Sequence, residues 1–247
     1  MKIITWNVNG IRARQEQFCE LLVREQPDVV CLQEIKAELS QVPLQCQVDD
    51  YWVFWHGMKG YSGVSLHLRK AWASGPPRFS HPEFDMESRI VQAEVGDTVY
   101  ASVYVPNGGK DYPAKLAFVA KLAAWAKRMH AEGRQVVLCG DMNITHTEMD
   151  VHPRERKPGI IGQRPEEREL FTQLLGEHLV DVGRKLEPQN AELFTWWAPW
   201  RNMRQRNIGW RLDYVLASPP IAARAQSCPV LRDFGTSDHG PVVMTTA

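Results

Sequence analysis

Apolar residues occur along much of the chain in short continuous runs bounded by polar or turn-forming residues. Ile3-Ile4-Thr5-Trp6, Val29-Val30-Cys31-Leu32 and Val136-Val137-Leu138-Cys139 are examples. Such runs suit strands covered on both faces. Strands are predicted over Lys2–Trp6, Val29–Gln33, Trp52–Trp55, Val64–Leu68, Ile90–Glu94, Val99–Val105, Gln135–Leu138, Phe194–Trp197, Arg211–Ala217 and Val242–Thr245. Helical periodicity predicts Arg12–Arg24, with Phe18, Leu21 and Leu22 inward, and Pro113–Ala131, with Leu116, Val119, Leu122, Ala126 and Met129 inward. A third helix should open at Pro165, a residue suited to the first helical position, and place Leu170, Phe171, Leu174 and Leu175 on one side.

Helix-bearing connections follow the first strand and Val105, whereas short Gly/Pro-containing loops join the strands from Trp52 to Val105. No Ser/Gly linker, low-complexity tract or short repeat divides the chain. Residues 1–247 are therefore expected to form one α/β domain, with two mixed sheets packed face to face and helices outside.

Charge changes this picture only locally. Lys plus Arg and Asp plus Glu are 29 each, so attraction to a polyanion has to come from patches. Arg201, Arg204, Arg206 and Arg211 form one basic group, and Arg154, Arg156, Lys157 and Arg164 another. Each reads equally as a polyanion-binding patch or a solvated face. Cys19, Cys31, Cys46, Cys139 and Cys228 are odd in number and widely spaced, which suits reduced thiols, and no CxxC pair suggests zinc. The short apolar run before Trp6 is neither a signal-peptide core nor a membrane span, so a soluble cytoplasmic protein is expected.

The informative residues stand where strands end: Asn7, Asn9, Glu34, Tyr104, Asn107, Asp141, Asn143, Asp213, Asp238 and His239. Taken singly, Asn9-Gly10, Gly140-Asp141 and Ser237-Asp238 are turn signals, and His239 is a structural histidine. Together they form a set of carboxylates and amides with one Tyr and one His, suited to magnesium and a phosphate rather than to zinc or a thiolate reaction. Two such carboxylates about 5 Å apart, at an effective dielectric near 20, repel by roughly 3 kcal/mol, and a divalent cation removes that penalty.

Trp6-Asn7-Val8-Asn9-Gly10-Ile11-Arg12-Ala13, Leu32-Gln33-Glu34-Ile35-Lys36, Gly60-Tyr61-Ser62-Gly63-Val64, Tyr104-Val105-Pro106-Asn107-Gly108, Gly140-Asp141-Met142-Asn143, Gly209-Trp210-Arg211-Leu212-Asp213-Tyr214 and Ser237-Asp238-His239 occur in this order. In sequence and order, these blocks resemble the exonuclease III type of apurinic/apyrimidinic endonuclease. The resemblance implies a four-layered, deoxyribonuclease I-like α/β sandwich and magnesium-dependent cleavage of DNA 5′ to an abasic sugar. It also implies 3′→5′ exonuclease and 3′-phosphodiesterase activities, with manganese substituting for magnesium. The implied partner is double-stranded DNA carrying abasic sites or 3′ blocks, met by a monomer without membrane attachment.

Carried over by motif, Glu34 would be the main metal ligand, with Asn7 or Asn9 and Asp238 near the ion. Asp141, helped by Asn143, would activate or orient water. His239, oriented by Asp213, would contact the phosphate, whose oxygens Tyr104 and Asn107 would hold. Trp196, Trp210 and Leu212 match the wall of the family's abasic-sugar pocket, while Trp200 and Arg201 match its DNA-facing loop and Arg12 a substrate-binding position. Trp197 reads as core. The chain departs from the family's pattern at Ser88, where Gly is usual, at Gly240, and at Ile160 and Ile161, where relatives commonly offer polar groups to phosphates. Two rival readings share the fold: a phosphoesterase for phosphoinositides, sphingomyelin or poly(A), and a non-catalytic nucleic-acid-binding regulator. The Trp196–Asp213 segment argues against the first. Retention of Glu34, Asp141, Asn143, Asp213, Asp238 and His239 argues against the second.

Overall fold

A computed structural model describes residues 1–247. Its strands, in chain order, are β1 (Lys2–Asn7), β2 (Val29–Gln33), β3 (Tyr51–Met58), β4 (Tyr61–Arg69), β5 (Arg78–Ser80), β6 (Ile90–Val95), β7 (Thr98–Tyr104), β8 (Gln135–Asp141), β9 (Val180–Asp181), β10 (Asp213–Ala217), β11 (Ala225–Ser227) and β12 (Val242–Thr246). They form two mixed six-stranded sheets, ordered β11-β12-β1-β2-β4-β3 and β5-β6-β7-β8-β10-β9. Each sheet contains one parallel pair, β1–β2 and β7–β8, and the remaining neighbours are antiparallel. A parallel pair needs a long crossover. Helices α1 (Ile11–Glu25) and α2 (Tyr112–Ala131) supply the two crossovers.

Three apolar clusters separate the layers. Ile3, Val29, Cys31 and Leu66 of the first sheet meet Val91, Val137, Cys139 and Val215 of the second in the central cluster. Phe18, Leu21 and Leu22 of α1 cover the outer face of the first sheet through Ile4, Val30 and Leu32. Phe118, Leu122 and Trp125 of α2, with Phe171 and Leu174 of α3 (Pro165–Leu175), cover the outer face of the second through Ala101, Val103 and Leu138. Helix, sheet, sheet, helix is the expected sandwich, and it explains why the central strands are apolar on both faces.

Several boundaries differ from expectation. Phe194–Trp197 is not a strand. Trp196 makes only single bridges, to Trp210 and His239, and β10 begins at Asp213 rather than Arg211. The two- and three-residue strands β5, β9 and β11 went unforeseen, because their existence depends on partners distant in the chain. In α2, Leu116 is only half-buried and the adjacent Lys115 is fully buried instead. Pro165 opens α3 as expected, and all five cysteines are free.

Candidate active site

Sheet register assembles the site. Tyr104 on β7 pairs with Asp141 on β8, which pairs with Asp213 on β10, so three functional groups occupy one row across adjacent strand ends. Close strand packing is needed just behind Asp141, since a Cβ on Gly140 would overlap the Val103 carbonyl. The first sheet contributes Asn7, in register with Gln33, and then Glu34. Asn9, Glu34 and Asn143 all have left-handed backbones, with φ of 46°, 49° and 49°. Each strand thus breaks sharply as it delivers its polar group. For Glu34, which lacks the local stabilisation open to Asn, this conformation costs about 1–2 kcal/mol.

Asn7 is the hub. Its Nδ2 donates to Glu34 Oε1 and Asp141 Oδ2, both at 2.9 Å, joining the two sheets. Asn143 donates its backbone N–H to Asp141 Oδ1 at 2.9 Å and its Nδ2 to the Val105 carbonyl at 2.9 Å. His239 Nδ1 lies 2.8 Å from Asp213 Oδ2, and its Nε2 lies 3.9 Å from Asp141 Oδ2. Asn9 and Asp238 sit beside this centre and bond to one another, Nδ2 to Oδ1 at 2.9 Å, while Trp196 Nε1 donates to Asp238 Oδ2 at 3.0 Å. Lys36 Nζ reaches both Glu34 Oε2 (2.8 Å) and Asn9 Oδ1 (2.6 Å).

Burial raises the Asp141 carboxyl to about 7; the charge of His239 opposes the rise, and those of Asp213 and Glu34 add to it. Burial would lower His239, but the charges of Asp213 and Asp141 and the bond to Asp213 outweigh it and lift the imidazole to about 10. Burial likewise tends to raise Glu34, yet bonds from Asn7 and Lys36 and the Lys36 charge hold it below its usual range. Tyr104 is pushed up by burial and by the neighbouring Glu34 and Asp141, so it remains a neutral hydroxyl donor. A proton acceptor thus stands beside a cationic donor.

The donor set fits a divalent cation. Four carboxylates, on Glu34, Asp141, Asp213 and Asp238, crowd against two cationic groups, Lys36 and His239. Donor atoms of Glu34, Asp141 and His239 lie within 4.8 Å of one another. Two further positive charges would neutralise the cluster, and carboxylate and carboxamide oxygens are the ligands hard cations prefer.

Residues 4–239 match the model of the Endonuclease/Exonuclease/phosphatase family. The chain belongs to that family. It is 33% identical to an exodeoxyribonuclease of Bacillus subtilis, the match covering 98% of each chain. It is 32% identical to the DNA repair nuclease APEX1 of Danio rerio, over 100% of this chain and 82% of that one. An AP endonuclease from Archaeoglobus fulgidus superposes with a TM-score of 0.90 at 28% identity, covering 100% of this chain and 99% of the other. A 3′ phosphatase, NExo, from Neisseria bound to product DNA hairpin superposes with a TM-score of 0.89 at 31% identity, again covering 100% and 99%. The resemblance to exonuclease III-type AP endonucleases and the sandwich it implied are both borne out: the protein is a nuclease of this family.

Beside the Glu34, Asp141 and His239 cluster, two of the expected sugar-box residues, Trp196 and Trp210, are in contact. Trp196 and Trp210 exchange backbone hydrogen bonds at 2.9 Å, and their rings meet edge to face at 5.6 Å. Leu212 is buried two residues farther along. Gly162, with φ of 93°, lies so close that a Cβ would come within 3.1 Å of the Trp210 ring. Trp210 Nε1 is buried without a partner. Trp197 is core as expected, packing with Phe194, Met203 and Ile208. Trp200 is 60% exposed, and Arg201 and Arg12 are exposed, so these three face outward rather than into the chemical cluster. Asn107 lines a cleft of about 170 Å³ with Tyr104, Arg89 and Tyr61.

The first basic group divides. Arg211 is buried in ion pairs with Asp150 and Asp181, and Arg204 binds the carbonyls of Arg232, Phe234 and Ser237. Neither is a free DNA-facing charge, which leaves Arg201 and Arg206 exposed. The Arg204 clamp instead fixes the loop that carries Asp238 and His239.

Other supporting residues also escaped the sequence reading. Thr195 Oγ1 accepts from the backbone N–H groups of Leu212 (2.9 Å) and Asp213 (3.0 Å), setting the entry to β10. Buried Arg89 stacks 4.8 Å from the Tyr104 ring centroid and pairs with Glu87 at 2.7 Å. Glu87 and Ser88 have φ of 53° and 56°, so the usual Gly at 88 would relieve strain that Ser88 bears. Lys115 Nζ donates to the Asn143 carbonyl at 2.7 Å and pairs with Glu167. A cation on the apolar stripe of α2, three residues before Phe118 and four before Val119, was the available signal.

Proposed function

We propose that this nuclease hydrolyses the DNA phosphodiester 5′ to an abasic site, leaving a 3′-hydroxyl, with 3′→5′ exonuclease and 3′-phosphodiesterase activity at the same centre. The observation that carries the reading is the convergence of Asp141 Oδ2 and His239 Nε2 at 3.9 Å, with Asp213 behind the imidazole at 2.8 Å. The proposed cofactor is Mg2+, replaceable by Mn2+, held by Glu34 with Asn7, Asn9 or Asp238 nearby. When bound, it supplies positive charge against the anionic phosphate.

Asp141, fixed by Asn7 and Asn143, accepts the proton of the attacking water. His239, kept cationic by Asp213, donates to a phosphate oxygen as charge develops there. Tyr104 and Asn107 orient other phosphate oxygens from the adjoining cleft. Trp196, Trp210 and Leu212 form a wall for a flipped bare sugar, while Arg12, Trp200 and Arg201 meet the flanking duplex. The reading takes residues 1–247 as one domain acting as a monomer in the cytoplasm; the cluster shared by both sheets supports the single domain. No helix is long and apolar enough to cross a membrane.

The test is incision of a duplex carrying one tetrahydrofuran abasic analogue. Magnesium should restore cleavage to metal-stripped protein, giving a 3′-hydroxyl end immediately 5′ of the lesion. Full activity in excess chelator would contradict the metal assignment, and absence of incision with magnesium would contradict the substrate assignment.

A further inference from the structure

The outermost strands β3 and β5 belong to different sheets, yet their side chains meet. Phe54 of β3 stacks on Phe79 of β5 with ring centroids 5.7 Å apart. Beside this contact, His56 of β3 and His81, just beyond β5, lie parallel with centroids 4.7 Å apart and planes 9° from each other. Each has a ring nitrogen near one carboxylate oxygen, and only that of His56 is within hydrogen-bond distance. His56 Nε2 is 2.6 Å, and His81 Nδ1 4.0 Å, from Asp85 Oδ2. Asp85 Oδ1 is already engaged, accepting the N–H groups of Arg89 at 2.8 Å and Ile90 at 3.1 Å.

A His56–Asp85 pair alone does not require the second imidazole. Two imidazoles beside one carboxylate make a metal-ligand set, with all three donor atoms within 4.8 Å of one another. A tetrahedral ion with ligand bonds of about 2.0–2.2 Å places its donors about 3.3 Å apart. The observed 2.6 and 4.0 Å bracket that separation. The side chains of Asp85 and His56 are 9% and 19% exposed and that of His81 is 50% exposed, so the set is anchored inside and open at one corner. Two nitrogens and one oxygen suit zinc-class ions, whereas magnesium demands oxygen ligands.

We propose that His56, His81 and Asp85 bind a zinc-class divalent ion that pins the adjoining edges of the two sheets together. The site is separate from the Glu34 centre. It shares Asp85 with the turn that carries Arg89, and Arg89 stacks on Tyr104, so the ion also braces the wall behind the phosphate cleft.

The experiment uses the full chain in saturating magnesium and titrates Zn2+ against a chromophoric chelator, with thermal unfolding followed in parallel. Wild type and Glu34→Gln should each bind one Zn2+ at this site and unfold at higher temperature when it is bound. His81→Ala, altered at a half-exposed side chain, should keep its magnesium-dependent nuclease activity. Its zinc affinity should fall at least about tenfold, because losing a ligand should cost no less than losing an outer-shell partner, and the zinc-induced thermal shift should disappear. Co2+ should give the visible absorption of a four-coordinate site in wild type but not in His81→Ala. Equal zinc binding by His81→Ala and wild type would overturn the proposal. So would loss of zinc binding in Glu34→Gln, which would place the ion in the nuclease centre.

Discussion

Lys115 and Glu167 form an ion pair, Nζ to Oε1 at 2.5 Å, in which neither side chain has any exposed surface. Each partner also holds part of the site. Lys115 donates to the Asn143 carbonyl at 2.7 Å, while Glu167 Oε2 accepts from the backbone N–H groups of Gly162 (2.6 Å) and Arg164 (3.1 Å). The pair therefore ties the turn after Asp141 to the segment that packs against Trp210. Its contribution is positional, since neither group touches the reacting atoms.

Lys115→Met leaves a buried carboxylate without its counter-charge, and the expected loss of stability is about 3–5 kcal/mol. Lys115→Met combined with Glu167→Leu should be more stable than Lys115→Met alone. Denaturant unfolding of the single and double variants measures this. Losses that simply add would show that the two groups do not act as a pair.

The active-site ionisations should give a bell-shaped profile of kcat/KM against pH. Asp141, raised to about 7, must be ionised to accept a proton, so activity rises with pH on the acid side, and a cation bound at Glu34 moves that limb to lower pH. His239, raised to about 10, must be protonated, so activity falls as pH passes upward through its pKa. Asp213→Asn removes the largest charge raising His239 and should move the alkaline limb to lower pH. An unmoved limb would separate Asp213 from the ionisation of His239.

Much of this centre was legible locally. Asp141 ends one buried strand and Glu34 directly follows another, and their polar identity at those exits does not depend on how the strands pair. What was not local was not legible. The Trp196–Trp210 contact is a single bridge between loops, so Phe194–Trp197 mimicked a strand. Arg204 and Arg211 looked like surface charge because their partners, the loop at 232–237 and Asp150 with Asp181, lie far off in the chain. Lys115 could have been found: it sits on the same helical stripe as Phe118, Val119 and Leu122, and a polar residue there demands a buried partner.

Glu34 and Asp141 should fail differently. Glu34→Ala should chiefly raise the magnesium concentration required, since Asn7 and Asp141 remain in place. Asp141→Asn should lower turnover about 100-fold or more even at saturating metal, the scale expected for loss of general-base catalysis. Magnesium titrations of both variants distinguish the roles. Rescue of Asp141→Asn to the wild-type rate by excess metal would remove Asp141 from proton transfer.

Selectivity should reside in the tryptophan pair. Trp210→Ala removes the ring that meets Trp196 at 5.6 Å and packs over Gly162. Abasic-site incision should fall through lost positioning, roughly 10- to 100-fold, while rejection of intact nucleotides weakens. The ratio of abasic-site incision to intact-duplex cleavage should consequently drop, with the magnesium requirement unchanged. Rates on matched duplexes measure the ratio, and an unchanged value would assign Trp210 to packing alone.

The central claim, that water activated beside Asp141 attacks phosphorus 5′ to an abasic sugar, is tested most directly by cleaving the tetrahydrofuran duplex in 18O-water and weighing both fragments. Hydrolysis by this route places one 18O on the 5′-phosphate of the downstream fragment and leaves an unlabelled 3′-hydroxyl on the upstream one. An unlabelled 5′-phosphate, or label at the upstream 3′ end, would contradict the account.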